Sequence, residues 1–115
     1  MDNLNTFELS ILNRLSEEYP SIKPHIPLLR VLERECTGVG MYVYFGYVET
    51  SADIPPLDIC ERTIDTLDSI DMMNVEHGLG YVVFLADGKI DVLEIFTYGA
   101  VCWDGNTEGF LGWKK

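Results

Sequence analysis

LGYVVFLADGKIDVLEIFTY, residues 79–98, decides the fold. Two long apolar runs meet at Asp87-Gly88. An Asp-Gly pair between apolar runs is a strong hairpin signal, because a type I′ turn needs φ > 0 at both central residues. If Ala86 pairs with Lys89, the register follows: Leu85 faces Ile90, Val83 faces Val92 and Tyr81 faces Glu94. Val82, Phe84, Leu93 and Ile95 then share the opposite face. Both faces are apolar, which places this hairpin in the middle of a sheet covered on at least one side.

A second hairpin is expected over residues 30–48, turning near Thr37-Gly38-Val39-Gly40, where glycine supplies the awkward dihedrals. Alternation sets Leu32, Arg34 and Cys36 on one face against Met41, Val43 and Phe45. Arg34 then points into an apolar layer and needs a partner. Glu94 of the central hairpin is the expected one, in a buried network with Tyr81.

Upstream, residues 4–19 carry Leu4, Phe7, Ile11, Leu12, Leu15 and Tyr19 at three- and four-residue spacing, an amphipathic helix. Asn5 and Glu8 form a capping-box pattern, with Asn3 and Thr6 as rival caps, and Pro20 stops the helix. Asn13, Arg14, Glu17 and Glu18 form its solvated face. Residues 20–29, PSIKPHIPLL, read as a connector with a short helical turn, and His25 as an exposed loop residue. Residues 49–76 are ambiguous. Leu57, Cys60, Ile64 and Leu67 lie at helical spacing, with Asp58, Glu61, Asp65 and Asp68 as a parallel acidic stripe. Thr63-Ile64-Asp65-Thr66 is poor in helix formers, so the expectation is a short helix or loop and then a strand near residues 70–75. After the central hairpin, Asp104-Gly105-Asn106 marks a turn, and residues 109–113 read as a last strand or flap.

The chain of 115 residues is long enough for one domain with its own core, and 47% apolar content argues against disorder. It has no run of 18 apolar residues, and its N-terminus lacks the basic and apolar regions of a secretory signal, so the cytoplasm is the expected location. Cys36, Cys60 and Cys102 are odd in number and far apart. They suggest neither a disulfide framework nor a metal site, and are expected as small buried hydrophobes.

Charge is the strongest global feature. The net is −11, and residues 49–94 hold eleven acids against Arg62 and Lys89, a net of −9. Such a surface repels nucleic acid and anionic membranes and attracts a basic protein.

Catalytic signatures are lacking. There is no GxSxG motif, and TGVG lacks the lysine and spacing of a phosphate loop. His25 and His77 are the only histidines; His77 with Cys36 or Cys102 and with Glu94 or Asp104 has no local signature, and His77 reads as a turn residue. Residues 104–108 lack the ligand spacing of a calcium loop. No metal or cofactor is expected.

The segments RECTGVGMYV (34–43) and EHGLGYVVFLADGKIDVLEIFTY (76–98), with Trp103 after them, resemble a family of small uncharacterised bacterial proteins. In that family a REFTGVG hairpin precedes a DG-LD-LE-FTY hairpin and a tryptophan. The resemblance covers residues 30–48 and 76–103 and hardly touches 49–75. It implies a common α+β fold and no particular activity. In size and acidity the chain is also similar to the immunity proteins of contact-dependent inhibition and other polymorphic-toxin systems.

The expected architecture is a single α+β domain: an antiparallel sheet of five or six strands with the N-terminal helix on one face. The expected function is non-catalytic binding of a protein, as an immunity protein occluding a basic toxin domain. Asp58, Glu61, Asp65, Asp68 and Asp71 are its expected contact set. The alternative is a small-molecule site or enzyme pocket around Arg34, Tyr81, Glu94, Tyr98 and Trp103. A third possibility, an acidic nucleic-acid mimic, predicts evenly spaced carboxylates along one edge.

Overall fold

A computed structural model describes residues 1–49, 53–66 and 68–114. Strands β1 (Leu29–Cys36), β2 (Gly40–Tyr47), β3 (Thr63–Ile64), β4 (Ser69–Met72), β5 (Val75–Ala86), β6 (Lys89–Thr97) and β7 (Phe110–Lys114) form one antiparallel sheet. Six follow the order β1-β2-β6-β5-β4-β7, and the two-residue β3 pairs with the far half of β5. Helix α1 (Thr6–Glu18) packs on one face, so the chain is α+β as the sequence implies.

The central hairpin is the pair β5–β6, and its tip behaves as expected. Asp87 and Gly88 both have positive φ, 54° and 73°, and Ala86 pairs with Lys89 and Leu85 with Ile90. Beyond that the expected register fails. Val83 pairs with Leu93 instead of Val92, and Tyr81 with Ile95 instead of Glu94. Asp91 is an extra residue in β6, a β-bulge. Strict alternation from Ile90 would carry Val92 and Glu94 inward and turn Leu93 and Ile95 outward. The bulge resets the phase, so Ile90, Leu93 and Ile95 are all buried while Glu94 moves to the other face.

The same alternation sorts the sheet into two unlike faces. Met41, Val43 and Phe45 of β2, Leu79, Tyr81 and Val83 of β5, and Ile70 and Met72 of β4 join Leu93 and Ile95 in the core. Phe7, Ile11, Leu12 and Leu15 of α1 close it from above. Ile22 and Ile26 of the 3₁₀ segment Pro20–Leu28 also join it. The opposite face carries Tyr42, Tyr44, Val82, Phe84, Val92, Glu94 and Phe96, all partly exposed.

Local signals explain the ends of the helix. Asn5 Oδ1 accepts from the Glu8 amide and Glu8 Oε1 accepts from the Asn5 amide, both at 2.8 Å, completing the capping box. Pro20 opens the next turn directly after the Tyr19 cap. The tail is a strand: β7 pairs with β4, Ile70 opposite Trp113.

Several expectations need correction. Among the described residues of 57–66 there is no helix; the segment is extended, and Leu67 lies outside the described residues. All three cysteines are exposed. Cys36 ends the edge strand β1, and Cys60 and Cys102 sit on non-helical stretches whose buried anchors are Leu57, Ile64 and Trp103. His77 stands in β5, exposed, just before Gly78 with φ of 72°. Leu32 is 57% exposed, because a bulge between Val31 and Glu33 removes it from the core face of β1. Among the described residues no helix is long and apolar enough to cross a membrane.

Candidate functional site

The acidic stretch is laid along the sheet edge by backbone bonds. The Leu57 amide donates to the Gly88 carbonyl at 2.9 Å, and the Leu85 amide to the Arg62 carbonyl at 2.8 Å. Thr63 and Ile64 pair with Phe84 and Val83. Burial has a strand's period of two here: Ile64 and Thr66 inward, Asp65 outward between them. The helical spacing was coincidental, since Cys60 faces solvent.

The five carboxylates expected to form one contact set part company. Asp58, Glu61 and Asp65 are exposed, and among the described residues none lies within ion-pair distance of a cation. Asp68 turns to α1 and accepts from Arg14 Nε at 2.9 Å and Nη2 at 2.7 Å, while the same guanidinium lies over Trp113. That pairing raises the Arg14 pKa further, chiefly through the Asp68 hydrogen bond. Arg14 is thus tied across the sheet end instead of being merely solvated. Asp71 stands beside Lys114 Nζ at 3.6 Å. At the hairpin tip Asp87 joins the exposed group, bordering an open cleft of about 400 Å³ with Leu57, Glu61, Arg62 and Leu85.

The alternative set, Arg34, Tyr81, Glu94, Tyr98 and Trp103, is not gathered into one pocket. Arg34 pairs across from Val43, on the helix side of the sheet. There its Nε and Nη2 donate to the two carboxylate oxygens of Glu8 at 2.7 and 2.9 Å. The Glu8 side chain has no exposed surface. Its hydrogen bond is the chief reason that the Arg34 pKa is raised, against the opposing effect of burial. Tyr81 is in the core, its hydroxyl 2.7 Å from Thr66 Oγ1 and its ring edge-on to Trp113. Burial, with the Thr66 bonds opposing it, pushes the Tyr81 phenol up to about 12. Glu94, on the opposite face, accepts from the Tyr42 hydroxyl at 3.2 Å. Tyr98 is exposed beside Phe96, and Trp103 is buried with its amide donating to the Gly38 carbonyl. The expected Arg34–Glu94–Tyr81 network is therefore replaced by three separate pairs, because the Asp91 bulge sends Glu94 to the far side.

Two polar residues differ from what the sequence predicts. Glu8 does more than cap the helix: beside Phe7 and one turn before Ile11 and Leu12, it lies on the buried face. His25 is buried, not exposed: Nδ1 is 2.8 Å from the Tyr47 hydroxyl and Nε2 is 2.9 Å from the Pro55 carbonyl. The Tyr47 hydroxyl accepts from the Ile90 amide at 2.9 Å, so its own proton goes to Nδ1. A carbonyl can only accept, so Nε2 carries the ring hydrogen. Burial first, and the charge of Lys89 after it, lower the His25 pKa, while the Pro55 bond opposes them. A histidine clamped in this way is a spacer between Pro20–Leu28, β2 and the segment at Pro55, with neither nitrogen left for a ligand.

Among the described residues no three His, Cys, Asp or Glu side chains stand close enough to hold a metal. Comparison with protein-family models, with curated proteins and with solved structures found no match to this chain.

Proposed function

We propose that this protein is a non-catalytic binding protein that occludes a basic partner protein in the cytoplasm, in the manner of an immunity protein against its toxin. The observation that carries this reading is where the charges stand. Three polar groups with catalytic potential are turned inward onto partners within the fold: Glu8 on Arg34, His25 on Tyr47 and Pro55, Tyr81 on Thr66. The excess negative charge stands outward, with Asp58, Glu61, Asp65 and Asp87 all exposed along the β3 edge and the hairpin tip. Such a field speeds encounter with a cationic surface and fails against anionic ones. Three exposed thiols suit a reducing compartment.

The test is a cross-linked pull-down from native cells. The wild-type chain is expected to retain a basic protein, and an Asp58→Lys/Glu61→Lys/Asp65→Lys variant is expected to lose it, with wild-type capture weakening as salt rises. Equal capture by the two chains at every salt concentration would sink the proposal.

A further inference from the structure

The face of the sheet opposite α1 has cross-strand rows of a definite chemistry. One row runs Glu35, Tyr42, Glu94, Val82 across β1, β2, β6 and β5. The next runs Glu33, Tyr44, Val92, Phe84. Phe96 lies between Gly40 and Gly80 in a third. Tyr42 and Tyr44 stack at 6.3 Å between ring centroids, inclined by 27°. Each hydroxyl is held by a carboxylate: Tyr42 donates to Glu94 at 3.2 Å and Tyr44 to Glu35 at 3.1 Å. Glu33 and Glu35 are exposed, and Leu32 adds an apolar edge. Of the cations that the described residues place on this face, Arg30 is bonded to the Pro27 and Leu29 carbonyls, and Lys114 stands by Asp71.

We propose that this open face is where the basic partner docks, and that an arginine of that partner lies on the Tyr42–Tyr44 pair between Glu35 and Glu94. This rests on the basic-partner reading above: the exposed acids of the 57–66 segment steer the partner by charge, and β2 and β6 make the contact that holds it. An aromatic lane with carboxylates at its sides matches a guanidinium on both counts, since arginine stacks on rings and pairs with carboxylates in a fork. The hydroxyl bonds hold both the rings and the carboxylates in place before the partner arrives, which lowers the ordering cost of binding. A second copy of this chain is a poor occupant, because a two-fold contact through this face would set the patch holding Glu33, Glu35 and Glu94 against the same acidic patch of the copy.

The probe is a blocked peptide, Ac-GRGRGRG-NH2, titrated into the ¹⁵N-labelled full chain, with the lysine and glutamate analogues alongside. The expected result is saturable shifts centred on Tyr42, Tyr44 and Glu94, stronger for arginine than for lysine and absent for glutamate. A Tyr42→Leu/Tyr44→Leu variant is expected to weaken binding by about two- to fivefold, the worth of exposed cation–π contacts. Glu35→Gln/Glu94→Gln keeps an acceptor oxygen for each hydroxyl, so it tests the charge without repacking, and a similar loss is expected. Arginine-peptide shifts centred on Asp58, Glu61 and Asp65 would overturn this inference and leave the basic-partner reading standing. No saturable shift with either basic peptide would overturn both. Concentration-dependent shifts of this face without peptide would assign it to a second copy and overturn the inference.

Discussion

Replacing Arg34 by methionine should strip a buried carboxylate of its counter-charge. Glu8 has no exposed side-chain surface, whereas the Arg34 side chain is 30% exposed. Arg34→Met removes two charge-assisted bonds, 2.7 and 2.9 Å, and leaves the carboxylate with the Asn5 amide alone. Orphaning a buried charge costs about 3–5 kcal/mol. The opening at Arg34 admits water, which favours the lower end, about 3 kcal/mol, or roughly 12 °C in Tm for a chain of this size. Glu8→Gln keeps an oxygen for the Asn5 amide and leaves a guanidinium that water already reaches, so it should cost only about 1 kcal/mol. The decisive feature is a change of sign. In the Arg34→Met background, Glu8→Gln removes the orphaned charge and should restore about 1–2 kcal/mol. Urea unfolding of the four proteins at neutral pH, followed by circular dichroism, measures the cycle. A loss below about 1 kcal/mol for Arg34→Met, or a destabilising Glu8→Gln in both backgrounds, would refute a buried, mutually dependent pair.

Two further outcomes follow from single contacts. The fold disfavours protonated His25, so as pH falls through the ordinary pKa of 6.5 the unfolded state takes up this proton before the native state does. Stability should therefore be full above that pH and fall as acid is added, and the fall between about pH 7 and 5 should be shallower in His25→Gln; identical slopes in unfolding titrations would contradict the clamp. A methyl group on Gly40 would collide with the backbone of Ile95 and Phe96, whereas one on Gly80 meets the Phe96 ring at 2.5 Å and the Tyr98 hydroxyl at 2.8 Å, which can turn aside. Gly40→Ala should thus cost about 3 kcal/mol or more and Gly80→Ala about 1 kcal/mol in thermal unfolding, and equal losses would show that the β2–β6 spacing gives way more easily than supposed.

What the sequence by itself determined is what neighbouring residues dictate to one another. Asp87-Gly88 set the hairpin tip, Asn5 and Glu8 the helix start, and Pro20 its stop, because each acts through backbone bonds within about one turn. The apolar stripe of α1 and the β1–β2 turn near Gly38 were legible for the same reason. The candidate site was legible only in part: the excess of acid in residues 49–94 was plain, but not which acids stay exposed. That was left to tertiary structure. The Asp91 bulge is favoured only once Ile90, Leu93 and Ile95 must all reach one core, and it alone sends Glu94 to the side of Tyr42. Asp68 is taken up by an arginine 54 positions away and Glu8 by one 26 positions away. Residues 57–66 became strand-like because β5 offered an unpaired edge, which outweighs a weak local helical pattern. A charge or a ring finds its partner by distance in the folded chain, and only packing of the sheet against α1 decides which residues come within it.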